Sequence, residues 1–90
     1  QRGEGDTSFG FRATQVQATG TGLAESTDYT LTVNIYRRVL GSSGPWIFYG
    51  VAEVDFSTGP GVTSWTSDWI DIPNEPGWET RPQTCHFTTS

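Results

Sequence analysis

Ninety residues suffice for one small domain, and the charge balance of this chain excludes several classes of partner. The chain has no lysine, five arginines and ten carboxylates, for a net charge of −5. This balance argues against nucleic acid and anionic membrane surfaces, because no basic stripe is present to neutralise phosphates. No apolar run is long enough to span a bilayer, so we expect no membrane insertion.

The composition indicates an all-β protein. Only 33% of the residues are hydrophobic but 13% are aromatic, so a few large rings must fill much of the core. Fourteen threonines and eleven glycines favour strands and turns, and no window shows a helical apolar stripe. Because the chain lacks methionine, we expect a processed or excised product. We expect it to be secreted or exposed on a virion or cell surface.

The N-terminal segment is polar and rich in glycine, which predicts a flexible arm over residues 1–7 and a single β-sandwich domain over residues 8–90. Within residues 8–19, the apolar side chains change from one face to the other between Ala13 and Val16. This change indicates a β-bulge inside one strand.

The stretch from Gly22 to Tyr36 is the most informative part of the chain. From Tyr29 onward apolar and polar residues alternate, which predicts a half-buried strand over residues 28–40. Leu23 and Thr27 precede Tyr29 in the connection, and this spacing is typical of a corner in which the tyrosine hydroxyl bonds to upstream backbone.

Turn residues divide the rest of the chain into three further strands. The segment 41–45 predicts a tight turn, so the strand before it and the strand after it should form a hairpin. A second break follows at residues 57–61, and three prolines predict an irregular loop over residues 73–82. The three strands are expected over residues 46–56, 62–72 and 84–88.

Leu23, Thr27 and Tyr29 form a Leu-x-x-x-Thr-x-Tyr run that resembles the tyrosine corner of fibronectin type III and immunoglobulin-like domains. The segment 51–60 is similar to the closing strand of those domains. The resemblance covers about residues 9–60 and implies a small immunoglobulin-like or Greek-key β-sandwich of five to six strands. In those families this region ends the domain, and a proline usually stands where this chain has Glu25. The resemblance therefore implies a permuted or divergent sandwich, or one completed by a strand from a partner.

The single cysteine, Cys85, allows no disulfide within the chain. It is either a buried thiol that packs as a small apolar residue, or a candidate for an intermolecular disulfide. His86 follows it directly, and neighbouring residues of a strand face opposite ways, so the two do not form a nucleophile–base pair.

Three tryptophans are candidate ligand-binding residues. Trp65 and Trp69 are four residues apart in a predicted strand, so they should share one face at a spacing of about 13 Å. Such a pair forms a platform for sugar rings in carbohydrate-binding modules, although a small sandwich also needs its rings for the core. Trp78, in the proline-rich segment, is expected to be partly exposed.

Acidic residues form two groups. Asp68, Asp71, Asn74 and Glu75 are weak candidates for a calcium site, and solvated carboxylates are the alternative. Glu53 and Asp55 share one face of a strand, where paired carboxylates can perform acid–base chemistry but more often face solvent. No cofactor motif is present, and we expect neither a cofactor nor a catalytic site.

These observations favour a non-catalytic structural or interaction module that acts through protein–protein contacts, including self-assembly through open sheet edges. The first alternative is a carbohydrate-binding module that uses its exposed tryptophans. The second is a small secreted enzyme or enzyme inhibitor. The partner is expected to be a protein or a second copy of the chain, with a glycan as the other choice.

Overall fold

The computed structural model describes residues 6–12 and 14–89, which form an all-β fold of two antiparallel sheets. The first sheet has four strands and the second has three, so the predicted small β-sandwich is confirmed. None of the described segments forms a helix that is long and apolar enough to cross a membrane. The strands are β1 (Asp6–Arg12), β2 (Gln15–Thr21), β3 (Asp28–Val39), β4 (Ile47–Ser57), β5 (Ser64–Thr66), β6 (Ile70–Asp71) and β7 (Trp78–Thr89).

Strand β3 is the centre of the three-stranded sheet. It pairs with β4 on one side and with β7 on the other, so the predicted hairpin between the two longest early strands is confirmed. From Tyr29 to Ile35 its residues alternate strictly between buried and half-buried, because every second side chain faces the opposing sheet. This regular alternation is what made the strand recognisable in the sequence.

Strands β1 and β2 form a second hairpin, and this hairpin replaces the bulge expected near Ala13. Arg12 lies opposite Gln15, and Phe11 lies opposite the buried Val16. The apolar residues change parity at this point because the chain reverses direction. Strand β1 begins at Asp6, so the last two residues of the segment predicted as an arm belong to a strand. The rest of that arm, residues 1–5, lies outside the described residues.

The single strand predicted over residues 62–72 consists of two short strands, β5 and β6, which both pair with β2. Ser67 lies between them and is buried. Its backbone N–H donates to the Ala18 carbonyl at 2.9 Å, and its Oγ accepts from the Ala18 N–H at 3.0 Å. The Ser67 hydroxyl thus accepts the hydrogen bond that a backbone carbonyl would accept in a regular strand pair, so the regular pairing is interrupted at Ser67. The described part of the chain therefore has seven strands rather than five or six.

Strand β7 is much longer than the short last strand expected over residues 84–88, because it begins at Trp78. The prolines had suggested a loop, but Pro82 lies inside β7 and is buried. Strand β7 is at the edge of its sheet, and the pairing with β3 changes register next to Pro82. An edge position and an irregular register are the two settings in which a strand tolerates a residue without a backbone N–H.

The core lies between the two sheets, and Tyr29 is its largest fully buried side chain. The Tyr29 hydroxyl accepts a hydrogen bond of 2.8 Å from the backbone N–H of Ala24. Glu25 accepts a hydrogen bond from the N–H of Gly61, so it ties the same connection to the turn after β4. The local contact expected of Tyr29 is thus present, while kinship with fibronectin type III or immunoglobulin-like domains stays a prediction. The core residues are Val16, Ala18, Leu23, Tyr29, Leu31, Val33, Ile35, Ile72 and Phe87.

Candidate functional site

Trp65 is part of the core rather than a ligand platform. Its ring stacks on that of Phe56, with centroids 3.8 Å apart and planes 3° from parallel. The ring of Phe87 meets it edge-on at 6.2 Å. Trp65 therefore joins the rings that fill the space between the sheets, and the ring face that stacks on Phe56 is closed to a sugar.

Trp69 lies on the outer face of the four-stranded sheet, away from Trp65. The guanidinium of Arg12 lies 3.9 Å from its ring centroid, and its ring edge faces Gly10. Gly10 and Arg12 flank the inward-facing Phe11 along β1, so both lie on the outer face of the sheet. The predicted platform of Trp65 and Trp69 is wrong, because the interruption at Ser67 breaks the continuous strand that would have aligned the two rings.

The four calcium candidates do not come together. In the described part of the chain, no group of three histidine, cysteine or acidic side chains could share a metal ion. Asp71 accepts a hydrogen bond from Gln15, Asn74 accepts one from Thr80, and Glu75 pairs with Arg37. Asp68 is exposed, and its backbone carbonyl accepts the Ser67 hydroxyl.

The carboxylates of Glu53 and Asp55 face solvent on β4. Asp55 accepts a hydrogen bond of 2.8 Å from the Thr30 hydroxyl on the neighbouring strand. His86 is exposed on β7 opposite Thr32, on the other face from Cys85. The structure therefore places the histidine apart from the cysteine and leaves the acidic pair on an open strand.

Cys85 is half-buried at the edge of the sandwich, where it packs against the core opposite Val33. Burial raises the pKa of its thiol, and a hydrogen bond with Thr7 opposes this rise only in part. Since thiol–disulfide exchange needs the thiolate, this environment favours a packing role over an intermolecular disulfide.

We expect iodoacetamide to modify Cys85 more slowly in the folded chain than in urea. The raised pKa means that a smaller fraction of the thiol is ionised at any given pH, so the rate should rise at higher pH than in the unfolded chain. Alkylation rates measured between about pH 7 and pH 10 will test this expectation. A folded-state profile centred at lower pH than the unfolded one would contradict it.

A group of exposed apolar side chains lies at the turn end of the β3–β4 hairpin. We call it the hairpin patch: Val39, Leu40, Ile47, Phe48, Tyr49 and Val51, with exposures between 36% and 62%. Phe48 meets Tyr36 edge-on, and Arg37 lies 4.3 Å from the ring centroid of Tyr49. These contacts hold the aromatic rings of the patch at the surface.

Strand β4, which supplies most of the hairpin patch, is also an edge strand. It has 11 residues and, among the described residues, pairs with β3 alone. It contains neither lysine nor proline, which are common devices for blocking edge pairing. Its one irregularity is a register shift near Tyr49, so the stretch from Gly50 to Ser57 is regular.

A cleft of about 740 Å³ opens beside the start of β7, with two tryptophans among its lining residues. The guanidinium groups of Arg38 and Arg81 lie 4.3 and 4.2 Å from the ring centroid of Trp46. That of Arg37 lies 4.0 Å from the ring centroid of Trp78. Trp78 is half-buried and lines the cleft, as expected of a partly exposed residue. We call this site the arginine–tryptophan cleft.

Two ion pairs neutralise part of the charge of the arginine–tryptophan cleft. Arg38 donates to Glu79 at 2.9 Å, and Arg37 pairs with Glu75. Arg37 and Arg38 are neighbours on β3 and point to opposite faces of the sheet, so Arg37 contacts Trp78 on one face while Arg38 contacts Trp46 on the other. The cleft depends on the pairing of β3 with β7, and spacing along the chain gives no sign of that register.

Comparison with known protein families, curated proteins and solved structures finds no match to this chain.

Proposed function

We propose that the protein is a non-catalytic structural module of an extracellular or particle surface, and that it acts through protein–protein contacts, including contacts between copies of itself. The observation that carries this proposal is the edge of β4, which pairs with β3 alone among the described residues and lies beside the hairpin patch. An edge strand presents unpaired backbone N–H and C=O groups, which can pair with a strand of another chain.

The side chains of β4 favour an antiparallel arrangement of two copies. Ile47, Phe48 and Tyr49 lie at one end of the strand, and Glu53 and Asp55 lie towards the other. When two such strands run antiparallel, the acidic half of each lies beside the apolar half of its partner. The carboxylates of the two chains are then separated, which avoids the cost of placing like charges opposite each other.

The hairpin patch adds apolar area to the backbone pairing. Monomeric proteins seldom expose many large apolar side chains side by side, and such patches commonly mark contact surfaces. Of the nine large hydrophobic residues that are exposed in the described part of the chain, six belong to the hairpin patch. Burying them in a contact between chains would remove them from water at a gain of about 25 cal/mol per Å².

A lysine at the centre of β4 tests this proposal. We expect the unmodified chain to sediment as a species of two or more copies, and Val51→Lys to sediment as a monomer. A lysine on an edge strand opposes pairing with a second strand, and burial of the hairpin patch would also desolvate its charge. Val62→Lys is the matched control, because Val62 is similarly exposed but lies in the turn after β4. A monomer for the unmodified chain at every concentration would contradict self-assembly.

A further inference from the structure

Arg81 differs from the other described arginines in the partners of its guanidinium group. Arg12 donates to Gln15, and Arg37 and Arg38 form ion pairs. Within residues 6–12 and 14–89, the guanidinium of Arg81 has no hydrogen-bond or ion-pair partner, and its contact is the ring of Trp46. The N–H donors of a guanidinium lie in its own plane, so an aromatic ring beneath that plane leaves them free. They can then bind a carboxylate through two parallel hydrogen bonds.

One arginine of the arginine–tryptophan cleft has a positive charge that no acidic side chain of the described residues compensates. Two arginines line the cleft, and Glu79 compensates Arg38. Glu75 pairs with Arg37, which lies beside the cleft, so Arg81 supplies the excess charge. A single guanidinium on a chain of net charge −5 suits a ligand with one acidic group per site. It does not suit a polyphosphate or a nucleic acid, which need several cations.

The remaining groups of the cleft suit a ring that carries hydroxyls. Trp78 offers an apolar aromatic surface, and Arg37 holds its ring in place. The Thr80 hydroxyl donates to Asn74 Oδ1, which orients the amide and leaves its N–H groups for a ligand. Paired aromatic and amide groups of this kind bind the apolar face and the hydroxyl edge of a sugar ring. The volume of about 740 Å³ lies within the range of small-ligand sites.

We propose that the arginine–tryptophan cleft binds an acidic saccharide, whose carboxylate pairs with Arg81 while a sugar ring packs against Trp78. This site is distinct from the platform expected from the sequence, since Trp65 and Trp69 take no part in it. The proposal does not depend on assembly through β4.

The test is a titration of the full chain followed through the indole N–H signals of Trp46 and Trp78 in NMR spectra. The acidic probes are trigalacturonic acid and sialyllactose, and the neutral probes are galactotriose and lactose. We expect the acidic probes to shift both signals and to bind about tenfold more tightly than the neutral ones, as a charge-assisted pair implies. Arg81→Gln should remove this preference, while Arg81→Lys, which keeps the charge but not the planar fork, should keep part of it.

Arg12→Gln is the matched control, because Arg12 also stacks on a tryptophan but lies outside the cleft. It should bind the acidic probes as the unmodified chain does, and so should Val51→Lys, which separates this proposal from assembly. Four outcomes would overturn the proposal. They are no shift with either acidic probe at about 10 mM, equal affinity for acidic and neutral probes, binding that survives Arg81→Gln, and binding of triglutamate where the saccharides fail.

Discussion

Replacing Trp65 with alanine is expected to lower the free energy of unfolding by about 3 kcal/mol or more. The loss has two parts. The indole ring stacks on Phe56 and meets Phe87, so its removal takes away contacts with two rings of the opposing three-stranded sheet. It also leaves a cavity between strands whose backbones are held by their ladders and cannot collapse freely.

Trp69→Ala is the matched control for this experiment, because it removes the same side chain from the outer face of the same sheet. It should cost about 1 kcal/mol, chiefly through the lost stacking with Arg12. Urea unfolding followed by circular dichroism measures both variants without relying on tryptophan emission. Equal losses for the two variants would contradict the placement of Trp65 in the core.

Adding a single methyl group at Gly20 is expected to be nearly as damaging. A Cβ atom built there would lie 2.2 Å from Cε2 of Phe87, well inside contact distance. Strand β2 cannot move aside, because Gly20 is paired with Thr7 on one side and Trp65 on the other. Phe87 is buried and cannot move outward, so we expect Gly20→Ala to cost about 3 kcal/mol.

Two further variants identify the cause of that loss. Gly50→Ala adds the same methyl group to β4, where it meets nothing within 4 Å, and it should change stability by about 0.5 kcal/mol or less. In the Gly20→Ala background, Phe87→Leu should cost less than it does alone, because the shorter side chain makes room for the methyl group. Additive effects of Gly20→Ala and Phe87→Leu in urea unfolding would show that the two residues do not compete for space.

The sequence predicted best the strand in which one face is buried in the core and the other is partly open to solvent. Strand β3 lies between two partners and alternates from Tyr29 to Ile35, so the sequence showed its start at Asp28 and its hairpin with β4, while its end lies one residue before the expected one. The first hairpin was missed because a chain reversal and a bulge both change the parity of the apolar residues. The extent of β7 was missed because Pro82 is tolerated at an edge, and an edge cannot be identified before the sheet order is known.

The candidate sites depended on long-range register and were therefore harder to predict. Counting along a presumed continuous strand placed Trp65 and Trp69 together, but the buried Ser67 separates them. Arg38 and Arg81 meet over Trp46, and the three residues come from three different stretches of the chain. Sequence spacing carries no information about such a contact, whereas the proline-rich segment did suggest that Trp78 is partly exposed, and Trp78 is half-buried.

The central position of β3 has a consequence for how the chain folds. Half of its backbone partners are in β7, and Leu31 lies opposite Phe87 across a separation of more than half the chain. Phe87 also fills the space over Gly20, so the last strand joins both sheets. The early hairpins can form while the chain is being synthesised, but the core closes only after β7 has been made. Until then β3 keeps an open edge, and chaperones or rapid late pairing must protect it from other chains.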